Sequence, residues 1–283
     1  MANFRSLILK NNLIMNSDLK KKYEQLKNYI SGKEGVAVAY SGGVDSSLLL
    51  KVSHDILGEK ALGIYCDSIL QPVREKAEVL SLAEKFGVNL IILEGVDISH
   101  EAFRNNPKNR CYLCKGLIFD RIINEAEKQG IACVFDGSNL DDLKDYRPGK
   151  KALNERGVIS PLLEAGITKK EVRLLSKELG MPTWDKDALA CLATRIPYNE
   201  EVTAEKLRLI DQIESLLVKE GFRNVRARLR GDAISIEVRE DLISILKERI
   251  SQFNLEDLIA NTGFVRIIVD REGYQQGKMN TIL

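Results

Sequence analysis

Two groups of residues have the types and spacing to do chemistry. The first is the string Ser41-Gly42-Gly43-Val44-Asp45-Ser46-Ser47, between a β-prone run at 35–40 and a helical stretch at 46–57. Glycines let the backbone close on a phosphate, and the N–H groups of the helix start point at it. The hydroxyls of Ser41, Ser46 and Ser47 add donors. Asp45 is the odd member, because a carboxylate repels a phosphate unless a cation stands between them. Mg²⁺ commonly binds one or two carboxylates together with phosphates and would resolve the conflict. No Gly-Lys-Ser/Thr follows, so the string is not a Walker A loop.

The second group is made of thiols. Cys111 and Cys114 form a C-x-x-C at the start of a predicted helix, and Cys191 lies in Ala188-Leu-Ala-Cys191-Leu-Ala-Thr-Arg195. A C-x-x-C serves as a redox pair, half a zinc site or part of an iron–sulfur site. Cys66 and Cys133 fall in apolar strand-like runs and read as core thiols. Three cysteines remain, enough to hold three irons of a cubane and leave the fourth open to an exogenous ligand such as sulfide. Spacing does not choose between cluster and zinc, nor show whether Cys191 meets the pair. The only histidines, His54 and His100, leave His-rich zinc sites and Ser-His-Asp triads poorly supplied.

The elements that must position these groups alternate along the first 196 residues. Apolar runs at 35–40, 61–66, 88–93 and 131–135 read as strands, and 46–57, 73–86 and 114–129 as helices between them. That is the pattern of an α/β parallel sheet covered by helices. An amphipathic helix at 19–30 precedes them. A helix at 168–179 is capped by Thr168 with Glu171 three residues on. The polar stretch 145–157, with Pro148 and Gly149, reads as a loop. Pro197-Tyr198-Asn199 breaks the chain, which places a domain boundary between 1–196 and 197–283.

The second unit reads as small α+β, in αββαβ order, with a Gly231-Asp232 turn between its first strands. Arg226, Arg228 and Arg230 share one face of a strand. They suit either phosphate forks or a solvated strand face. Arg195, four residues after Cys191, is placed to bind an anionic substrate.

Composition narrows the partners. Lys+Arg 42 against Asp+Glu 41 gives a net charge of +1. The balance holds in both units, 29 basic to 26 acidic up to residue 195 and 13 to 15 beyond. A protein gripping an extended nucleic acid shows a basic excess in at least one domain, so a small substrate is expected. No apolar run is long enough to span a membrane. The N-terminal stretch has no signal-peptide core, and five cysteines argue against a disulfide framework, so a cytoplasmic chain is expected.

The Ser41–Ser47 string resembles the PP-loop of ATP pyrophosphatases, and Asp136-Gly-Ser-Asn139-Leu-Asp141-Asp142 resembles a second motif of that superfamily. With Cys191-Leu-Ala-Thr-Arg195-Ile-Pro-Tyr198 and Glu272-Gly-Tyr274, the chain looks like the LarE family from about residue 17. That resemblance implies an ATP-dependent sulfur transferase of nickel-pincer cofactor biosynthesis. Its substrate is pyridinium-3,5-biscarboxylic acid mononucleotide, its ligands ATP and Mg²⁺, its assembly a homo-oligomer, a hexamer. In the family the cysteine matching Cys191 supplies the sulfur. A three-cysteine branch looks dependent on a 4Fe-4S cluster, and Cys111 and Cys114 place this chain there. One departure is that Gln275 and Gln276 follow Tyr274 where many relatives carry a basic residue. The rival readings are a PP-loop tRNA thiolase, an amide-forming PP-loop ligase and a non-catalytic nucleotide-binding or redox-sensing module.

Overall fold

The computed structural model describes residues 16–98, 101–143, 148–187 and 190–275. The N-terminal stretch up to residue 15, His100, Ala188 and Gln276 lie outside the described residues. The chain opens with helix α1 (Ser17–Ser31), whose N–H at Leu19 is capped by the Asn16 side chain at 2.8 Å. Strand β1 (Val36–Ala39) follows, then α2 (Val44–Leu57), β2 (Ala61–Asp67), α3 (Val73–Phe86) and β3 (Asn89–Glu94). After a single turn α4 (Glu101–Arg104) comes α5 (Arg110–Lys128), which carries Cys111 and Cys114 near its start. Strand β4 (Val134–Phe135), α6 (Pro148–Asn154), α7 (Pro161–Glu164) and α8 (Lys169–Glu178) complete this part.

The four strands lie in the order β3-β2-β1-β4, all parallel. The apolar β1, almost wholly buried, takes the centre because helices cover both faces there. Strand order reverses between β1 and β4, and the loops leaving those two strands diverge there. In open α/β sheets such a switch point is where ligands bind. The string 41–47 and the motif 136–142 leave from those two strands.

Two stretches depart from expectation. Residues 148–154 form helix α6, not a loop. Pro148 is its first residue, where a missing N–H costs nothing, and Ala152 and Leu153 are buried. Strand β4 covers two residues rather than 131–135, because only Val134 and Phe135 pair with Ala37 and Val38. Ile159 then bridges Phe135 on the far side.

Beyond Pro197 come α9 (Ala204–Lys219), β5 (Arg226–Arg230), β6 (Ala233–Glu237), α10 (Ile243–Arg249), α11 (Leu255–Ile259) and β7 (Arg266–Val269). Strand β6 is central, antiparallel to β5 and parallel to β7. The short α11 is the one addition to the expected order. The apolar core here takes in Leu207, Ile210, Ile213 and Leu217 of α9 and runs back across Pro197 to Leu192, Ala193 and Ile196. It also reaches Leu70, Val96 and Phe103 of the first unit. The segment carrying Cys191 is thus packed against the second sheet.

Candidate active site

The loop after β1 is shaped by its own hydroxyls. Ser46 Oγ accepts from Ser41 N–H at 3.2 Å and donates to the Gly43 carbonyl at 3.2 Å, and the Ser41 and Ser46 oxygens are 3.0 Å apart. Gly42 has φ +73°, a conformation that glycine adopts at no steric cost. No side chain caps the start of α2, so its first N–H groups have no side-chain acceptor. Val44, Ser46 and Ser47 are buried on that first turn.

The neighbouring motif closes on this turn from β4. A Cβ at Gly137 would stand 2.9 Å from the Ser46 nitrogen, so only glycine permits the approach. That approach delivers Asn139, whose Nδ2 donates to Asp45 Oδ1 at 3.0 Å. Asn139 is itself 3% exposed, and its Oδ1 accepts from Asp141 N–H at 3.0 Å. Asp141 in turn accepts the Lys169 N–H at 2.9 Å, at the start of α8. The Lys169 ammonium forms an ion pair with Asp45 Oδ2. A built-in cation therefore sits where the sequence called for Mg²⁺. Each Asp45 oxygen keeps a lone pair, so the carboxylate can still hold a Mg²⁺ that bridges to phosphate. Sequence reasoning missed Lys169. Its signal was a lysine pair, 169–170, in the first turn of a helix, where the macrodipole disfavours cations.

The three thiols differ in exposure and packing. Cys111 is exposed, Cys114 and Cys191 are partly buried, and the last two pack on the second unit's core. Burial pushes the Cys114 thiol up, and the charges of Cys191 and Cys111 push it further. Burial also raises Cys191, against the opposing pull of Arg110 and Arg195. Cys66 is a buried strand thiol, raised by burial to about 11. Cys133 lies just before β4, half-buried. The donor set suits an iron–sulfur cluster in kind, since thiolates crowded in an apolar setting gain most from a bound cation. In spacing it is not closed: among the described residues no three His, Cys, Asp or Glu side chains are grouped to hold a metal ion.

The arginines lie differently from either sequence alternative. Arg195 is 1% exposed. Its Nε and Nη2 clasp both oxygens of buried Glu214, at 2.8 and 2.9 Å. Its Nη1 donates to the carbonyls of Ala190 and Cys191, at 2.8 and 3.0 Å. The guanidinium is thus spent on the chain itself and fixes the backbone at Cys191. Arg228 bonds Glu237 and the Thr194 carbonyl, at 2.8 and 2.9 Å. Arg226 lies under the Tyr274 ring, 5.0 Å from its centre, and is lowered by burial and then by neighbouring Arg195. A solvated strand face is excluded for both, which are 3% (Arg226) and 7% (Arg228) exposed. Only Arg230 reaches solvent.

A cleft of about 630 Å³ opens between α3, residues 182–187 and the second unit, with Arg74, Lys186, Arg223 and Arg226 among its lining. Neither Asp45 nor the three thiols line it. It adjoins the phosphate loop only through Lys186, which donates to the Gly42 carbonyl at 3.2 Å. The Asp45, Asn139 and Lys169 cluster thus lies at the strand switch point, outside this cleft.

Comparison with known proteins identifies the family. The NAD synthase family model matches residues 18–119, which hold the phosphate loop and the C-x-x-C. An uncharacterised protein of Synechocystis sp. is 38% identical over 94% of this chain and 99% of its own length. The pyridinium-3,5-bisthiocarboxylic acid mononucleotide synthase of Lactiplantibacillus plantarum is 34% identical over 88% of this chain and 90% of its own. An uncharacterised protein of Methanocaldococcus jannaschii is 31% identical over 90% of this chain and 98% of its own. Near-complete coverage of the L. plantarum synthase, across both the phosphate loop and the second sheet, means that this chain belongs to the LarE family of PP-loop proteins.

Proposed function

We propose that the protein is an ATP-dependent sulfur transferase that adenylates a substrate carboxylate and converts it to a thiocarboxylate, as the name of its L. plantarum relative suggests. The observation that carries this is the cradle at the switch point: an uncapped helix start, serine hydroxyls and Asp45 on one loop, with Lys169 brought to Asp45 from the start of α8. A carboxylate is a poor electrophile. Its oxygen attacks the α-phosphorus of ATP, pyrophosphate leaves, and an acyl-adenylate forms. Sulfide then attacks the carbonyl carbon, and the C–O bond breaks to release AMP. Lys169 and the loop N–H groups stabilise the charge that develops on the departing pyrophosphate, and Asp45 is the residue that would hold a Mg²⁺, which would share in neutralising it. The substrate class is a small anionic mononucleotide bearing carboxylates, the counterpart of the bisthiocarboxylic acid mononucleotide that the relative is named for making.

In this reading Cys111, Cys114 and Cys191 are the residues that would hold a 4Fe-4S cluster once drawn together, and the cluster would supply a replaceable sulfide. Arg195 sets the Cys191 backbone. Arg226 packs on Tyr274, and Arg228 bonds Glu237 and the Thr194 carbonyl, so in this reading both brace the second sheet and the segment after Cys191 rather than touch the substrate. Product analysis tests the first half. AMP and pyrophosphate are expected, and ADP as the nucleotide product would overturn the assignment. The donor is tested on anaerobically prepared protein by iron and sulfide analysis and by intact mass after turnover. Three Cys→Ala variants, at 111, 114 and 191, should share one colourless, inactive phenotype. Loss of H₂S from the polypeptide at position 191 would show instead that the thiol itself is spent.

A further inference from the structure

Lys186 is a charged residue beside the phosphate loop that the proposed mechanism leaves without a role. Its side chain is 14% exposed and makes three contacts: Glu75 Oε2 and Glu78 Oε2 of α3, both at 2.7 Å, and the Gly42 carbonyl at 3.2 Å. Glu75 is 4% exposed, so the first of these is a buried pair. From the same helix Val79 presses on the loop. A Cβ at Gly42 would stand 2.5 Å from its Cγ2.

The backbone of Lys186 is fixed as well. Its N–H donates to the Thr183 carbonyl at 3.0 Å. Arg173 of α8 donates to the carbonyls of Trp184 and Lys186, at 2.8 and 2.7 Å. Arg173 lies one turn beyond Lys169, so one helix positions both ammonium groups that touch the loop.

What the Gly42 contact does follows from peptide geometry. The described residues have no cis peptide bond, and in a trans peptide the carbonyl and the next N–H point opposite ways. Glycine at 42 gives this peptide freedom to rotate, and an untethered loop would sample both orientations. Holding the Gly42 carbonyl toward α3 turns the Gly43 N–H toward the loop interior, where it donates a long bond of 3.4 Å to Ser41 Oγ that a phosphate oxygen can replace. We infer that Lys186 is a positioning residue for nucleotide binding, anchoring the Gly42–Gly43 peptide so that its N–H faces the phosphates. The two glutamates hold the ammonium in place, since a lone cation there would be drawn to the phosphates.

The inference rests on the proposed binding of ATP by this loop, and its test separates the two. Lys186→Met alone strands a buried Glu75, so the comparison is made in the Glu75→Gln background. Binding of MgATP and of adenosine to the full chain is measured by calorimetry for E75Q, E75Q/K186M and E75Q/K186R. Relative to E75Q, the Met variant should bind MgATP about tenfold more weakly, and the Arg variant should recover most of that loss. Adenosine carries no phosphate, so its affinity should stay within about twofold, as expected when only charge-assisted donors are moved. Equal losses for both ligands would show a merely structural lysine, and no loss for MgATP would show no anchor at all; either overturns the inference. Failure of the unaltered chain to bind MgATP would overturn the ATP reading itself.

Discussion

The two halves of the site are built by opposite means. On the phosphate side the groups come from two short strings that leave adjacent strands, and their partners are mostly backbone or short polar side chains. The Asp45–Lys169 pair there is partly open to solvent. On the thiol side the supporting groups are buried ion pairs reaching across the chain: Arg195 with Glu214, and Arg228 with Glu237. The first arrangement leaves donors unsatisfied for a ligand. The second satisfies its donors internally and uses them to hold the Cys191 segment on the second sheet. Binding capacity is local here, whereas alignment of the thiol is a tertiary property.

The contrast is most exposed to test at Glu214. Both side chains of the Arg195–Glu214 pair are fully buried, and Glu214 also accepts the Ala227 N–H at 2.9 Å. Removing one partner of such a pair costs about 3–5 kcal/mol, because the other charge is left buried alone. Glu214→Ala should therefore lower stability by about that much in urea denaturation. The matching change on the phosphate side, Asp45→Asn, should cost under about 1 kcal/mol of stability, since a partly exposed pair contributes little. It should still slow pyrophosphate release by about 10²–10³-fold, the usual cost of losing a preorganised electrostatic group. Comparable destabilisation by the two substitutions would show that both sides are built alike.

The same contrast explains what could be read from the sequence. The phosphate loop and the 136–142 motif were legible because each is contiguous and each glycine has a local reason, as at Gly137. The parallel sheet was legible from its apolar runs, and the capping of α8 from Thr168 and Glu171. Helix α6 was missed because polar composition around Pro148 and Gly149 outweighed a buried Ala152-Leu153 pair. The anchors of the second half were missed for another reason. Glu214 is four residues after Ile210 and three before Leu217, on the apolar stripe of α9, and an acid at a core position signals a buried partner. Nothing local says that the partner is Arg195. Nor does any spacing reveal that Cys114 and Cys191 pack on one apolar core, which depends on how α5 and the 190–195 segment come together.

A milder substitution probes the phosphate side at the helix that delivers Lys169. The N-terminus of α8 is closed by a capping box in which Glu171 accepts the Thr168 N–H at 2.7 Å and Thr168 Oγ1 accepts the Glu171 N–H at 3.3 Å. Lys22 of α1 adds an ion pair to Glu171 at 2.8 Å. Partial burial opposes ionisation of Glu171, but Lys22 and the Thr168 donors outweigh it, and its pKa lies below the ordinary carboxylate value. A carboxylate lowered in the folded state contributes stability that is present above its unfolded pKa of about 4.3 and is lost as pH falls through the folded value. Glu171→Gln should therefore cost about 1 kcal/mol at neutral pH, the typical worth of a cap, and that difference should shrink as the pH is lowered from about 6 to about 3. Denaturant midpoints of the two proteins across that range measure it. Because the cap only steadies the helix start, MgATP affinity should change less than in Lys186→Met. A gap that stays constant with pH would mean that Glu171 contributes through packing rather than charge, and that α8 is held in place by the same buried chemistry as the thiol side.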